Sequence, residues 1–256
     1  MNRRTIPALL ILLAFGAARM PIESQLEAER KAAYFHGAKF DLSLHARIGQ
    51  MAFVAALSGF RAPIADGLYL YAHSLWERVE WGRMKNNFDA ATALQPRCLL
   101  FWDQAAWHMA FNASIAAYDD KKQPREALRR KAQREYWKLG EDYLIRGIAN
   151  NPDKPLLYDR LAWLYDQKFE DHCKAAEMYS RCAAVPGAPA YARRFAAYEL
   201  AQCPGREREA YERLKALYLE SPDEHQPTLL KWLRNLQEKL EIPQEQKIAI
   251  PPASNP

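Results

Sequence analysis

The chain has 256 residues, 49% hydrophobic and 26% charged, which excludes a disordered protein and suits one large globular domain or two small ones. It has 42 alanines but only 3 valines and 3 threonines, so a sizeable β-sheet, which draws on β-branched residues, is excluded too. Glycine is scarce at 10, and no G-x-G-x-x-G or G-x-x-x-x-G-K-[ST] run exists, so the common nucleotide phosphate cradles are absent and the composition calls for an all-α protein.

At the N-terminus, Asn2-Arg3-Arg4 forms a positive segment and Ile6 to Ala18 follows as 13 residues without a charge, ending in Gly16-Ala17-Ala18. That is the pattern of a signal peptide over residues 1–22, or of a short uncleaved membrane anchor if Arg19 snorkels and Met20, Pro21 and Ile22 join the apolar stretch. Thirteen residues fall short of the roughly 20 that span a bilayer. Arg3 and Arg4 hold this end in the cytoplasm, so the rest of the chain is expected outside it, in the periplasm or on the outer face of the cytoplasmic membrane. Nucleic acid is not an expected partner there, and the net charge of +5, or +3 without Arg3 and Arg4, is mild.

Residues 23–63 carry two amphipathic helices, about Glu23 to His36 and Leu42 to Ser58, the second apolar nearly all round. From 64 to 222 the sequence repeats. Four segments keep offsets of 0, 4, 7 and 12: Met84, Phe88, Ala91, Pro96; Gly140, Leu144, Gly147, Pro152; Ala175, Tyr179, Cys182, Gly187; and Ala210, Leu214, Leu217, Pro222. The first three positions share a helical face and the fourth stops the helix. Ahead of each lies a helical pattern at offsets 0, 3, 4 and 7: Leu68, Tyr71, Ala72, Leu75; Trp102, Ala105, Ala106, Met109; Tyr158, Leu161, Ala162, Tyr165; and a degraded Ala192, Phe195, Ala196, Glu199. Each unit is thus read as a helical hairpin that buries its face by stacking on the next. An insertion near 115–136 begins with the turn Asp119 to Pro124 and lengthens the second helix of repeat two. Residues 223–242 form a capping helix on Leu229, Leu230, Trp232, Leu233, Leu236 and Leu240, and 243–256 a flexible tail.

At Leu161-Ala162-Trp163-Leu164-Tyr165 with Ala175, Tyr179 and Cys182, and at the corresponding positions of the other units, the chain resembles the tetratricopeptide repeat. The segments Gly59 to Asp66, Leu94-Gln95-Pro96-Arg97 and Trp102 to Trp107 are similar to those of uncharacterised exported or membrane-anchored bacterial repeat proteins. The resemblance implies a right-handed stack of hairpins whose first helices line a concave groove, here Asp66, Tyr69, His73 and Trp76, then Asp103 and Trp107, then Asp159, Trp163 and Asp166. That acidic and aromatic lining suits a protein or extended peptide bearing Lys or Arg. The expected function is therefore a non-enzymatic scaffold of the cell envelope, without cofactor, metal or catalytic residues. The rival is a carrier of a small apolar ligand, or an enzyme, using Trp76, Trp102, Trp107 and Trp163 as a pocket.

The remaining signals are read more plainly. His108 is expected to be a packed residue, and Asp171-His172-Cys173 lacks a visible partner for a catalytic dyad. Of Cys98, Cys173, Cys182 and Cys203, one bridge between Cys173 and Cys203 is open, but four half-buried thiols are the preferred reading. Lys121, Lys122, Arg125, Arg129, Arg130, Lys131 and Arg134 oppose only Glu126; the face they form is read as solvated, with contact to anionic lipid headgroups as the alternative.

Overall fold

A computed structural model describes residues 59–250, together with 14, 18 and 21; the N-terminal signal or anchor and the two helices expected before residue 59 lie outside this range. The described residues are helical, with no strand among them. No described helix is long and apolar enough to cross a membrane. The chain divides into two compact units, 1–151 and 152–256.

In the first unit, α1 (Arg61–Glu77) and α2 (Trp81–Leu94) pack as a hairpin. Then α3 (Leu99–Trp107) continues through a π-helical turn (His108–Ala113) into α4 (Ser114–Tyr118), the dihedrals at Trp107 and Ser114 staying helical. The 25-residue α5 (Glu126–Asn150) packs along all three of these segments. Gly140 makes that approach close: a Cβ there would lie 2.6 Å from the Ala110 Cβ and 3.0 Å from the Ala106 carbonyl oxygen. Tyr143, fully buried on α5, donates its hydroxyl to Asp89 Oδ1 (2.9 Å) and to the Lys85 carbonyl (3.1 Å) of α2. Arg146 reaches the same aspartate at 3.4 Å and lies over the rings of Tyr143 and Trp102. The Asn151 amide donates to the carbonyls of Pro96 and Gly147, tying the ends of α2 and α5 together.

In the second unit, α6 (Pro155–Leu164) runs into a π-helical turn (Tyr165–Phe169), followed by α7 (His172–Ala183), α8 (Tyr191–Gln202), α9 (Glu207–Glu220) and α10 (Pro227–Lys239), consecutive helices packing on one another. Local chemistry sets the ends. Pro155 and Pro227 begin helices where no N–H partner is needed, and Asp171 caps α7 by accepting from the Lys174 N–H at 3.0 Å. Pro96, Pro152 and Pro222 each fall two residues beyond the end of α2, α5 and α9, and Gly187 (φ +79°) turns the chain after α7.

The twelve positions at offsets 0, 4 and 7 of the sequence pattern are all buried: on α2, α5, α7 and α9 they supply the faces that meet neighbouring helices. The cysteines differ from the preferred reading of four thiols. Cys173 and Cys203 are disulfide-bonded with Cα atoms 4.9 Å apart, because the packing of α7 on α8 brings the start of one helix beside the end of the other. Cys98 and Cys182 are free thiols. In 243–250, the described part of the stretch expected as tail, the carbonyls of Ile248 and Ala249 accept from Gln237 and Tyr218.

Candidate functional site

The groove residues expected in the first unit sit on two elements. Asp66, Tyr69, His73 and Trp76 form a stripe on α1, and Asp103 and Trp107 lie one turn apart on α3. Ring contacts join the two elements. Tyr69 packs 5.2 Å from Phe101, His73 meets His108 edge to face at 5.2 Å, and Trp76 lies 5.5 Å from His108. Trp107, next in sequence to His108, stacks on Phe111 at 4.5 Å. The indoles stay open to solvent, Trp76 at 44% and Trp107 at 42%, and Asp66 is exposed. Tyr69, His73 and Asp103 are half-buried.

His108 opens the π-helical turn and continues the buried face of Phe101 and Ala105 at helical spacing. It is 4% exposed, and burial, followed by the nearby His73, pushes its imidazole down to about 4. Its Nδ1 lies 2.9 Å from the Asn112 amide nitrogen, which only donates, so Nδ1 accepts and the neutral ring carries its proton on Nε2. His108 is therefore a neutral packing residue of the wall, as expected. His73 hydrogen-bonds the Tyr69 carbonyl at 3.3 Å, which fixes its ring. Burial raises the Tyr69 phenol, with Cys98 adding a smaller contribution.

The candidates of the second unit behave differently from one another. Asp159 is 9% exposed and accepts the Tyr191 hydroxyl at 3.1 Å, with Arg160 at 3.7 Å, so it is a structural partner more than a surface charge. Trp163 is half-buried on α6. Asp166, in the π-helical turn, lies beside two residues the groove reading did not include: its Oδ1 is 3.7 Å from His172 Nδ1, which in turn is 2.8 Å from Glu199 Oε2. Burial raises the Glu199 carboxyl, with the hydrogen bond to His172 opposing and the charge of Asp166 reinforcing the shift. Tyr179 stands near all of these groups; burial, then the charges of Asp159, Glu199 and Asp166, push its phenol well above the ordinary range. Cys182, buried and donating to the Pro155 carbonyl, has its thiol pushed up to about 11, which makes it a poor nucleophile.

His172 and Glu199 had a sequence signal. Glu199 occupies the position filled by Leu75, Met109 and Tyr165 in the other units, so a carboxylate falls on a buried helix face. The Asp171-His172-Cys173 run also separates: the cap, the imidazole and the sulfur have different partners, Lys174, Glu199 and Cys203.

No protein-family model matches the chain, and no curated protein or solved structure is similar to it.

Proposed function

We propose that the chain is a non-enzymatic binding protein of the bacterial cell envelope, a tetratricopeptide-like scaffold whose first unit takes a basic, extended segment of another protein across α1 and α3. The observation that carries this reading is the pair of half-exposed indoles: Trp76 of α1, packed on the buried His108 and in one stripe with Asp66, and Trp107 of α3, stacked on Phe111 and one turn from Asp103. Partly exposed aromatic rings on helices that also carry carboxylates favour a Lys- or Arg-bearing ligand, by cation–π attraction and by charge. The ring contacts among Tyr69, His73, Phe101 and His108 make the wall rigid, so little ordering cost falls on this side of an interface. The signal-like N-terminus supports export, and the Cys173–Cys203 bridge supports an oxidising compartment.

The test is binding of an extended Lys/Arg-rich peptide, followed by tryptophan fluorescence, to the wild type and to Asp66→Asn/Asp103→Asn. The paired change should slow association and flatten its salt dependence, with the helical signal kept; Asp66→Asn alone, at the exposed carboxylate, should leave the unfolding midpoint unchanged as well. Unaltered binding by the double variant would refute the reading.

A further inference from the structure

We propose that Asp166, His172 and Glu199 form a binding site for one divalent first-row transition ion of the zinc type. The site belongs to the second unit and does not depend on the peptide-binding reading of the first. One ligand atom from each of the three residues lies within 4.8 Å of the others. Zinc bound tetrahedrally at about 2.0–2.2 Å from nitrogen and oxygen donors needs those donors about 3.4 Å apart. His172 Nδ1 and Asp166 Oδ1, at 3.7 Å, already stand close to that spacing. His172 Nδ1 and Glu199 Oε2, at 2.8 Å, need to part by about half an ångström as the ion replaces their hydrogen bond.

The donors come from three elements whose positions are fixed independently. Asp166 is in the π-helical turn, a form of helix that recurs at functional sites. Between it and His172 the backbone reverses at Glu170 (φ 52°), is held by the Asp171 N–H to the Tyr165 carbonyl at 3.0 Å, and re-enters a helix at the Asp171 cap. Glu199 projects from α8, and the disulfide locks the two helices together here: Cys173 follows His172 and Cys203 lies one turn beyond Glu199. The arrangement is preorganised in the way a metal site requires.

The donor set selects the class of ion. An imidazole with two carboxylates is a mixed nitrogen and oxygen set suited to zinc and its first-row neighbours, whereas magnesium and calcium take oxygen shells. The side chains of His172 and Asp166 keep 30% and 24% of their surface exposed, and Glu199 keeps 12%, so an ion can enter and retain a fourth, solvent-facing position. Two carboxylates against one imidazole give the site negative charge to neutralise, which a divalent ion supplies.

The experiment uses the full chain with its disulfide intact, freed of metal by chelator dialysis, without a polyhistidine tag, and titrated with zinc chloride by calorimetry. One saturable equivalent is expected, with affinity reduced by at least about tenfold in Glu199→Gln and in His172→Ala. Asp166→Asn, at the most solvent-open carboxylate adjoining the imidazole, serves as the third variant, and circular dichroism verifies folding of each before titration. Magnesium chloride should bind at least about tenfold more weakly than zinc. No saturable zinc binding, or binding equal in the wild type and in the folded variants, overturns the proposal and leaves the cluster as an imidazole hydrogen-bonded between two carboxylates.

Discussion

Gly140 gives the sharpest test of the packing in the first unit. Alanine in place of glycine inside a helix gains about 1 kcal/mol when nothing opposes it. Gly67 on α1 is such a position, with nothing within 4 Å of a built Cβ, so Gly67→Ala should stabilise the unit by roughly that amount. At Gly140 the same gain meets an overlap: the added carbon would lie 2.6 Å from the Ala110 Cβ, 3.0 Å from the Ala106 carbonyl oxygen and 3.3 Å from the Ala110 nitrogen. Two of those atoms are backbone, so α5 and the π-helical turn must separate. Overpacking of this kind costs about 1–3 kcal/mol, so Gly140→Ala should end near neutral or as much as about 2 kcal/mol less stable, a gap of at least about 1 kcal/mol from Gly67→Ala. Urea unfolding followed by tryptophan fluorescence suits the comparison, because Trp76, Trp81, Trp102, Trp107 and Trp137 all lie in the first unit. Equal midpoint increases for the two variants, at unchanged slope, would refute the close approach of α5 to α3.

Other perturbations have definite signs. His108, whose pKa is about 4 in the folded chain against 6.5 ordinarily, leaves the unfolded state binding more protons between those values. The first unit is therefore at full stability above pH 6.5 and loses about 2 kcal/mol by pH 5; His108→Gln should remove that part of the loss when urea midpoints are compared at pH 8 and pH 5. Tyr143→Phe deletes the hydroxyl that reaches Asp89 and Lys85 and should cost about 1–3 kcal/mol in the same unfolding assay. Asp159→Asn should lower the stability of the second unit by about 1 kcal/mol, read by thermal melting, because it weakens the Tyr191 contact. Replacing Cys173 and Cys203 together by Ala should cost about 3–4 kcal/mol for a bridge spanning 30 residues, measured by denaturation of the second unit.

The periodic parts of the structure were legible in the sequence, and the singular parts were not. Met84, Phe88 and Ala91, with their counterparts on α5, α7 and α9, are spaced to share one helical face, and that face is where neighbouring helices meet. A proline two residues beyond a helix, as at Pro96, Pro152 and Pro222, announces an end through local sterics alone. The π-helical turns at His108 and Tyr165 carry no such marker. The resemblance to the tetratricopeptide repeat implied an inward face for Asp159 and Asp166, but not the fact that Tyr191 covers one and His172 joins the other. Those contacts join α6 and its turn to α7 and α8 across 32 and 6 residues of chain, and the Cys173–Cys203 bridge likewise depends on how α7 meets α8. Glu199, a carboxylate in an apolar register, and His172, in the Asp171-His172-Cys173 run, were singular residues with a visible signal.

If α1 and α3 bind a basic protein segment, the exposed indoles Trp76 and Trp107 must lie against it. Site-specific photocrosslinking in cells tests this contact most directly, with a photoreactive phenylalanine replacing Trp107 in one variant and Leu219, 67% exposed in the second unit, in another. Position 107 should give a discrete protein adduct that is lost when Asp66 and Asp103 are changed to Asn, its crosslinked peptide carrying Lys or Arg, and position 219 should give no such adduct. An adduct from position 219 alone, or one from position 107 that persists without the two carboxylates, would contradict this mode of binding.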